Sequence, residues 1–123
     1  MPVFALHHVQ IAMPEGGEDA ARAFHGGLTG LSEARKPPIL AIRGGVWFEK
    51  GSLRVHLGGE QDFRPARKTH PAFEVSGVEG FLSFLEAEGA GVARDENLPV
   101  FVRGYLDDPF GNRIELLEPV PAG

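Results

Sequence analysis

Four side chains stand out as potential donors for a divalent metal ion: His8, His56, His70 and Glu115. The chain contains no cysteine, which excludes disulfides, thiolate nucleophiles and cysteine zinc clusters, so any metal would sit on imidazole and carboxylate. Those ligands suit first-row divalent ions such as Zn, Ni, Co, Fe or Mn, and three or four of them leave positions open for water or substrate. An ion held in this way can lower the pKa of its water to about 7, polarise a carbonyl or stabilise an enediolate. Spacing sorts the four residues into pairs. His8 and His70 are 62 residues apart and His56 and Glu115 are 59 apart, near-equal offsets that point to an internal duplication.

The elements that must carry these residues follow the same repeat. Residues 5–13 alternate, with Val9, Ile11 and Met13 on one parity and His8, Gln10 and Ala12 on the other, which predicts a half-buried strand. Ala21, Phe24 and Leu28 have helical spacing, and Gly26, Gly27 and Gly30 close that helix. Strands are expected around SEAR, ILAIR, GVWFE and SLRVHLG, so the first half reads strand, helix, three strands. The polar stretch 60–69 reads as a linker. HPAFEV then restarts the pattern, followed by a helix carrying Val78, Phe81, Leu82 and Leu85. GVARDE, PVFVRGYLDD and NRIELLE read as three further strands, with DPFGN as the turn before the last and EPVPAG as a fraying tail. The expected architecture is one α+β domain built from two βαβββ modules, 1–59 and 70–118, with a tail at 119–123.

Parity adds a second constraint. Leu53, Val55 and Leu57 flank His56, Phe73 and Val75 follow His70, and Ile114 and Leu116 flank Glu115. Since side chains alternate across a strand, the apolar set must face the helices and the His/Glu set must face away. If the two sheets curve around a common space, three imidazoles and one carboxylate converge there; the plainer alternative for each is a side chain turned to water. Gln10 shares the parity of His8, and Arg54 that of His56. Arg103 and Tyr105 share a face, where the guanidinium could clamp a carboxylate or phosphonate and the hydroxyl could donate to a bound oxygen. Trp47 and Phe101 could form apolar walls; the competing readings for all of these are solvated charges and core aromatics. His7 has the parity of the buried set and reads as a packed or edge histidine. His25 is expected to meet the last carbonyls of the first helix, while Asp107 and Asp108 read as turn formers.

Composition bounds the functional class. With 123 residues, 42% hydrophobic and 24% charged, the chain is long enough for one domain with a buried core. The 17 glycines and 10 prolines are scattered and argue for many tight turns. A net charge of −5, with no basic run longer than Arg67-Lys68, argues against nucleic-acid and anionic-membrane partners. No apolar run reaches spanning length, and a cytoplasmic location is expected.

LHHVQIAMP, FHGGLTGL, HPAFEV and above all DPFGNRIELLEP together resemble the vicinal oxygen chelate superfamily, which includes glyoxalase I, bleomycin-resistance and fosfomycin-resistance proteins and extradiol dioxygenases. The resemblance spans nearly the whole chain. It implies two βαβββ modules wrapping cupped mixed sheets around one divalent metal, with His8, His70 and Glu115 at the ligand positions. His56 stands where glyoxalase I members usually carry a glutamate thought to move the substrate proton. A coordinated imidazole is a poorer base, which points away from glyoxalase I activity itself. The resemblance implies a homodimer and a metal-dependent isomerase, lyase or dioxygenase acting on a small substrate chelated through two oxygens. The alternative is a non-enzymatic protein that sequesters a ligand, as bleomycin-resistance members do, although such members generally lack the metal ligands.

Overall fold

The computed structural model describes residues 2–95 and 100–120. The tail residues 121–123, the end of GVARDE and the first residue of PVFVRGYLDD lie outside the described residues. The chain divides into two compact units, 1–64 and 65–123.

In the first unit, β1 (Val9–Pro14) pairs in parallel with β4 (Leu53–Glu60). β4 is antiparallel to β3 (Val46–Lys50), and β3 to β2 (Ser32–Ala34), giving the order β1-β4-β3-β2. A parallel pair needs a crossover. Here it contains α1 (Glu18–Ala21), which runs on as a π-helix over Arg22–Leu28 and packs on β2 and β3. Alternation along the strands buries Ile11, Met13, Val46, Phe48, Val55 and Leu57, which form the core with Ala21 and Phe24. His25 is also in this core, at 1% exposure, with its ring edge-on to Phe24. The sequence places it at the end of the first helix; the wider π-helical turn, which continues to Leu28, carries it inward with Phe24.

The stretch ILAIR is not a strand. Residues Pro38–Ala41 form a single helical turn, α2. Pro38 takes the first turn, where its fixed φ and missing N–H cost nothing. Ile39 and Ile42 are exposed, so the apolar alternation that suggested a strand does not mark a core face. The chain enters β3 through Gly45, whose φ of +85° and 2.5 Å distance from a would-be Cβ to the Leu57 carbonyl leave room only for glycine.

The second unit repeats the order. β5 (Ala72–Glu74) is parallel to β8 (Arg113–Pro119), β8 antiparallel to β7 (Phe101–Asp107), and β7 to β6 (Val92–Asp95), in the order β5-β8-β7-β6. The crossover helix α3 (Val78–Ala87) packs on β6, β7 and β8 and buries Val78, Leu82 and Leu85 at helical spacing. Close seating depends on Gly104 in β7, where a Cβ would stand 2.6 Å from Leu82 Cδ1. No side chain of its own caps α3. Instead the Glu118 carboxylate on β8 accepts the N–H groups of Gly77 and Val78, each at 2.9 Å. The turn before β8 is organised by Asp108, whose Oδ1 accepts the N–H groups of Phe110 and Asn112, while Asn112 Oδ1 accepts that of Ala66. Each unit is thus an α+β sheet with its crossover helix, as the repeat predicts. Among the described residues no helix is long and apolar enough to cross a membrane.

Candidate functional site

Strand register lines up one row of side chains across each sheet. In the first unit the row is Gln10, His56, Trp47 and Ala34; in the second it is Ala72, Glu115, Tyr105 and Ala93. The rows match position by position. A donor sits on the central strand of each, an aromatic ring on the next strand, and an alanine beyond it. His8 and His70 each precede their row's first residue by two positions.

In the first unit the His56 ring is sandwiched. Trp47 stacks on one side at 4.2 Å between centroids and 8° between planes, and His8 lies at 4.3 Å and 19°. His56 therefore reaches 9% exposure although it faces away from the apolar core. Burial, followed by the charges of His8, His7, Lys36 and Arg54, pushes its pKa below the ordinary imidazole value, so the ring is held neutral with a lone pair to offer. His7 is exposed rather than packed, with Nδ1 3.0 Å from His8 Nδ1; it lies before β1 begins, so strand parity does not govern it. A cavity of about 440 Å3 opens on this row, lined by His8, Gln10, Trp47, Arg54 and His56 among others.

In the second unit His70 Nδ1 lies 3.1 Å from the Arg67 carbonyl, which can only accept, so this nitrogen carries the hydrogen. Nε2 then points at Glu115 Oε1, 3.0 Å away, in a pair that needs one proton between its members. The second carboxylate oxygen, Oε2, receives Arg103 Nη1 at 3.4 Å, and Arg103 Nη2 donates to Asp95 at 2.9 Å. Burial by itself would lower the pKa of Arg103, but Tyr105, Asp95 and Glu115 outweigh it and hold the guanidinium charged. Tyr105 stands edge-on to His70 at 5.6 Å. Asp95, the partner that fixes Arg103, escaped sequence reasoning; cross-strand pairing of Asp95 with Arg103 in a β6–β7 hairpin was the available signal. Phe101 is half-buried at the start of β7, on the Arg103 side by alternation.

The donor chemistry fits a divalent ion. Two ligand atoms each about 2.1 Å from one ion and at right angles to it lie about 3.0 Å apart, the separation found between His70 Nε2 and Glu115 Oε1. A carbonyl on the far nitrogen of His70 and a guanidinium on the far oxygen of Glu115 are partners of the kind that orient metal ligands. Among the described residues no group of three or more His, Asp or Glu side chains is gathered closely enough to hold an ion. The donors come as pairs, one in each unit.

The sequence matches no protein-family profile and no curated protein, but solved structures match along its length. A protein assigned to the glyoxalase family from Bacillus anthracis is 44% identical, with a TM-score of 0.92, over 97% of this chain and 98% of that one. A lactoylglutathione lyase from Agrobacterium tumefaciens is 22% identical at a TM-score of 0.73, covering 96% of each chain. An antibiotic-binding protein from Streptomyces sp. CB03234 is 20% identical at 0.72, over 95% of this chain and 99% of that one. The duplicated βαβββ units define a vicinal oxygen chelate fold, and within that superfamily the chain belongs to the glyoxalase family.

Proposed function

We propose that the protein is a divalent-metal-dependent enzyme of the glyoxalase/dioxygenase type, acting as an isomerase, lyase or dioxygenase on a small substrate chelated through two oxygens. His8, His56, His70 and Glu115 are the ligands in this reading, to an ion drawn from Zn, Ni, Fe, Mn and Co. When bound, such an ion polarises the substrate oxygens and stabilises negative charge developing on them. Support rests above all on the His70–Glu115 pair, whose facing atoms are spaced as adjacent ligands and whose other polar atoms are tied to Arg67 and Arg103. The neutral state of His56 also favours coordination, because a protonated imidazole has no lone pair to give.

The remaining residues bind and orient. Arg103 positions the Glu115 carboxylate and carries a fixed positive charge beside it, suited to an anionic substrate group. Tyr105 brings a hydroxyl to the same face, Gln10 an amide to the His56 row, and Trp47 and Phe101 apolar surface. With His56 in place of a glutamate, no ligand carboxylate on β4 can shuttle a proton, which favours lyase or ring-opening chemistry over a glyoxalase I isomerisation.

A second reading, ligand sequestration, draws on the ring stack of His8, His56 and Trp47, which offers a flat π surface to a planar compound. Metal-loaded protein offered thiol hemithioacetals, catechols and phosphonate antibiotics separates the two. The enzyme reading expects turnover of one class, abolished in His70→Ala. Metal-independent binding without turnover of any class contradicts it and favours sequestration.

A further inference from the structure

We infer that the second unit contains an anion-binding pocket at Arg113 and Tyr105, which adjoins the proposed metal donors of that unit without using either of them, and that takes the carboxylate or phosphate group of a small molecule. A cavity of about 530 Å3 opens beside β6 and β7, with Tyr105, Asp107, Arg67 and Arg113 in its wall. Arg113 lies with its guanidinium carbon 5.2 Å from the Tyr105 ring centroid. That contact orients the fork but leaves its N–H donors unspent.

The wall carries two arginines, Arg67 and Arg113, and two aspartates, Asp95 and Asp107, but both aspartates are committed elsewhere. Asp107 is cross-strand from Arg113 but pairs with Arg67 at 2.5 Å. Asp95 is held by Arg103 at 2.9 Å. Among the described residues no carboxylate pairs with Arg113, so it faces the cavity as a cation without a counterion. A planar guanidinium in this state matches the two oxygens of a carboxylate or phosphate. Duplication supports the assignment independently. The first unit repeats the wall, with Trp47 for Tyr105, Glu49 for Asp107 and Arg54 for Arg113, and Arg54 paired in register with Glu49 as Arg113 is with Asp107. In that copy Arg54 Nη1 is turned back to the Ser52 carbonyl, which makes Arg113 the better anion donor of the two.

The test uses the full chain stripped of metal with EDTA, so that it does not depend on the proposed metal chemistry. Benzoate and inorganic phosphate are titrated while amide chemical shifts are followed. The expected result is saturable binding of at least one probe, with the largest shifts at residues 92–95 and 105–113. Binding should weaken about tenfold or more in Arg113→Gln, the loss of one bidentate charged contact, and substantially in Arg113→Lys, which keeps the charge but not the fork. Arg54→Gln should leave the affinity within about twofold. The amide spectrum of each variant checks that it is folded. Undiminished binding in both Arg113 variants, shifts confined to the first unit, or saturable binding by neither probe overturns the inference; tight phosphate but no benzoate binding supports it and selects a phosphate ligand.

Discussion

His56 shows how far the surroundings of a side chain can depart from what strand parity suggests. Parity places it away from the core, yet Trp47 and His8 bury it between their rings. Burial is the leading cause of its lowered pKa. In metal-free protein, a nuclear magnetic resonance titration should show His56 losing its proton below pH 6.5, and Trp47→Ala should move that midpoint back up toward 6.5 by letting water reach the ring. A midpoint at or above 6.5 in the unaltered protein contradicts the buried stack. A depressed folded-state pKa makes the contribution of His56 complete above about pH 6.5 and lost as pH falls through the folded value, so acid should destabilise the unaltered protein more than a His56→Gln variant. That His70 and Glu115 belong together was legible from spacing and strand parity, and their side chains do meet at 3.0 Å. The Arg67 carbonyl that faces His70, and Asp95, which holds the Arg103 beside Glu115, were not legible, because one acts through the backbone and the other across a strand pair that only register reveals.

At the level of elements, the strands announced themselves by alternation and α3 by its apolar stripe. Two features did not. The α2 segment has the sequence pattern of a strand because Ile39, Leu40 and Ile42 look like core residues, whereas Pro37 and Pro38 begin a turn of helix whose isoleucines face solvent. The start of α3 depends on a residue some forty positions downstream. Glu118 accepts two N–H groups there, and those bonds hold its pKa below 4.5. Glu118→Gln should therefore lower the melting temperature at neutral pH, and the deficit relative to the unaltered protein should close as pH falls through the folded-state pKa of Glu118, since its stabilisation is present above 4.5 and lost on protonation. A deficit constant from pH 7 to pH 3, read by thermal melts, contradicts the cap. The seating of α3 makes two further demands. Leu82→Ala removes a fully buried side chain and should cost about 2–5 kcal/mol. Gly104→Ala drives a methyl group into Leu82 and should cost about 1–3 kcal/mol. Denaturant titrations measure both, and a Gly104→Ala protein as stable as the parent would contradict the close packing.

For the molecule as a whole, the repeat was the most informative signal in the sequence. Offsets of 62 and 59 residues pair His8 with His70 and His56 with Glu115, and the sheets carry that correspondence through entire rows, Gln10-His56-Trp47-Ala34 against Ala72-Glu115-Tyr105-Ala93. The two copies share the scaffold and differ at the matched position, with the His56 imidazole in one and the Glu115 carboxylate in the other. Substrate identity was not legible, because specificity resides in loops whose sequences follow no hydrophobic period. The proposed function depends on the donors taking up an ion. Elemental analysis of protein purified without a histidine tag and equilibrated with Zn, Ni, Co, Mn or Fe(II) tests this most directly. About one ion per chain is expected, lost in His70→Ala and in Glu115→Ala and released as pH drops below about 6, when the imidazoles protonate. Uptake of no ion at neutral pH, or undiminished occupancy in both variants, would contradict the account.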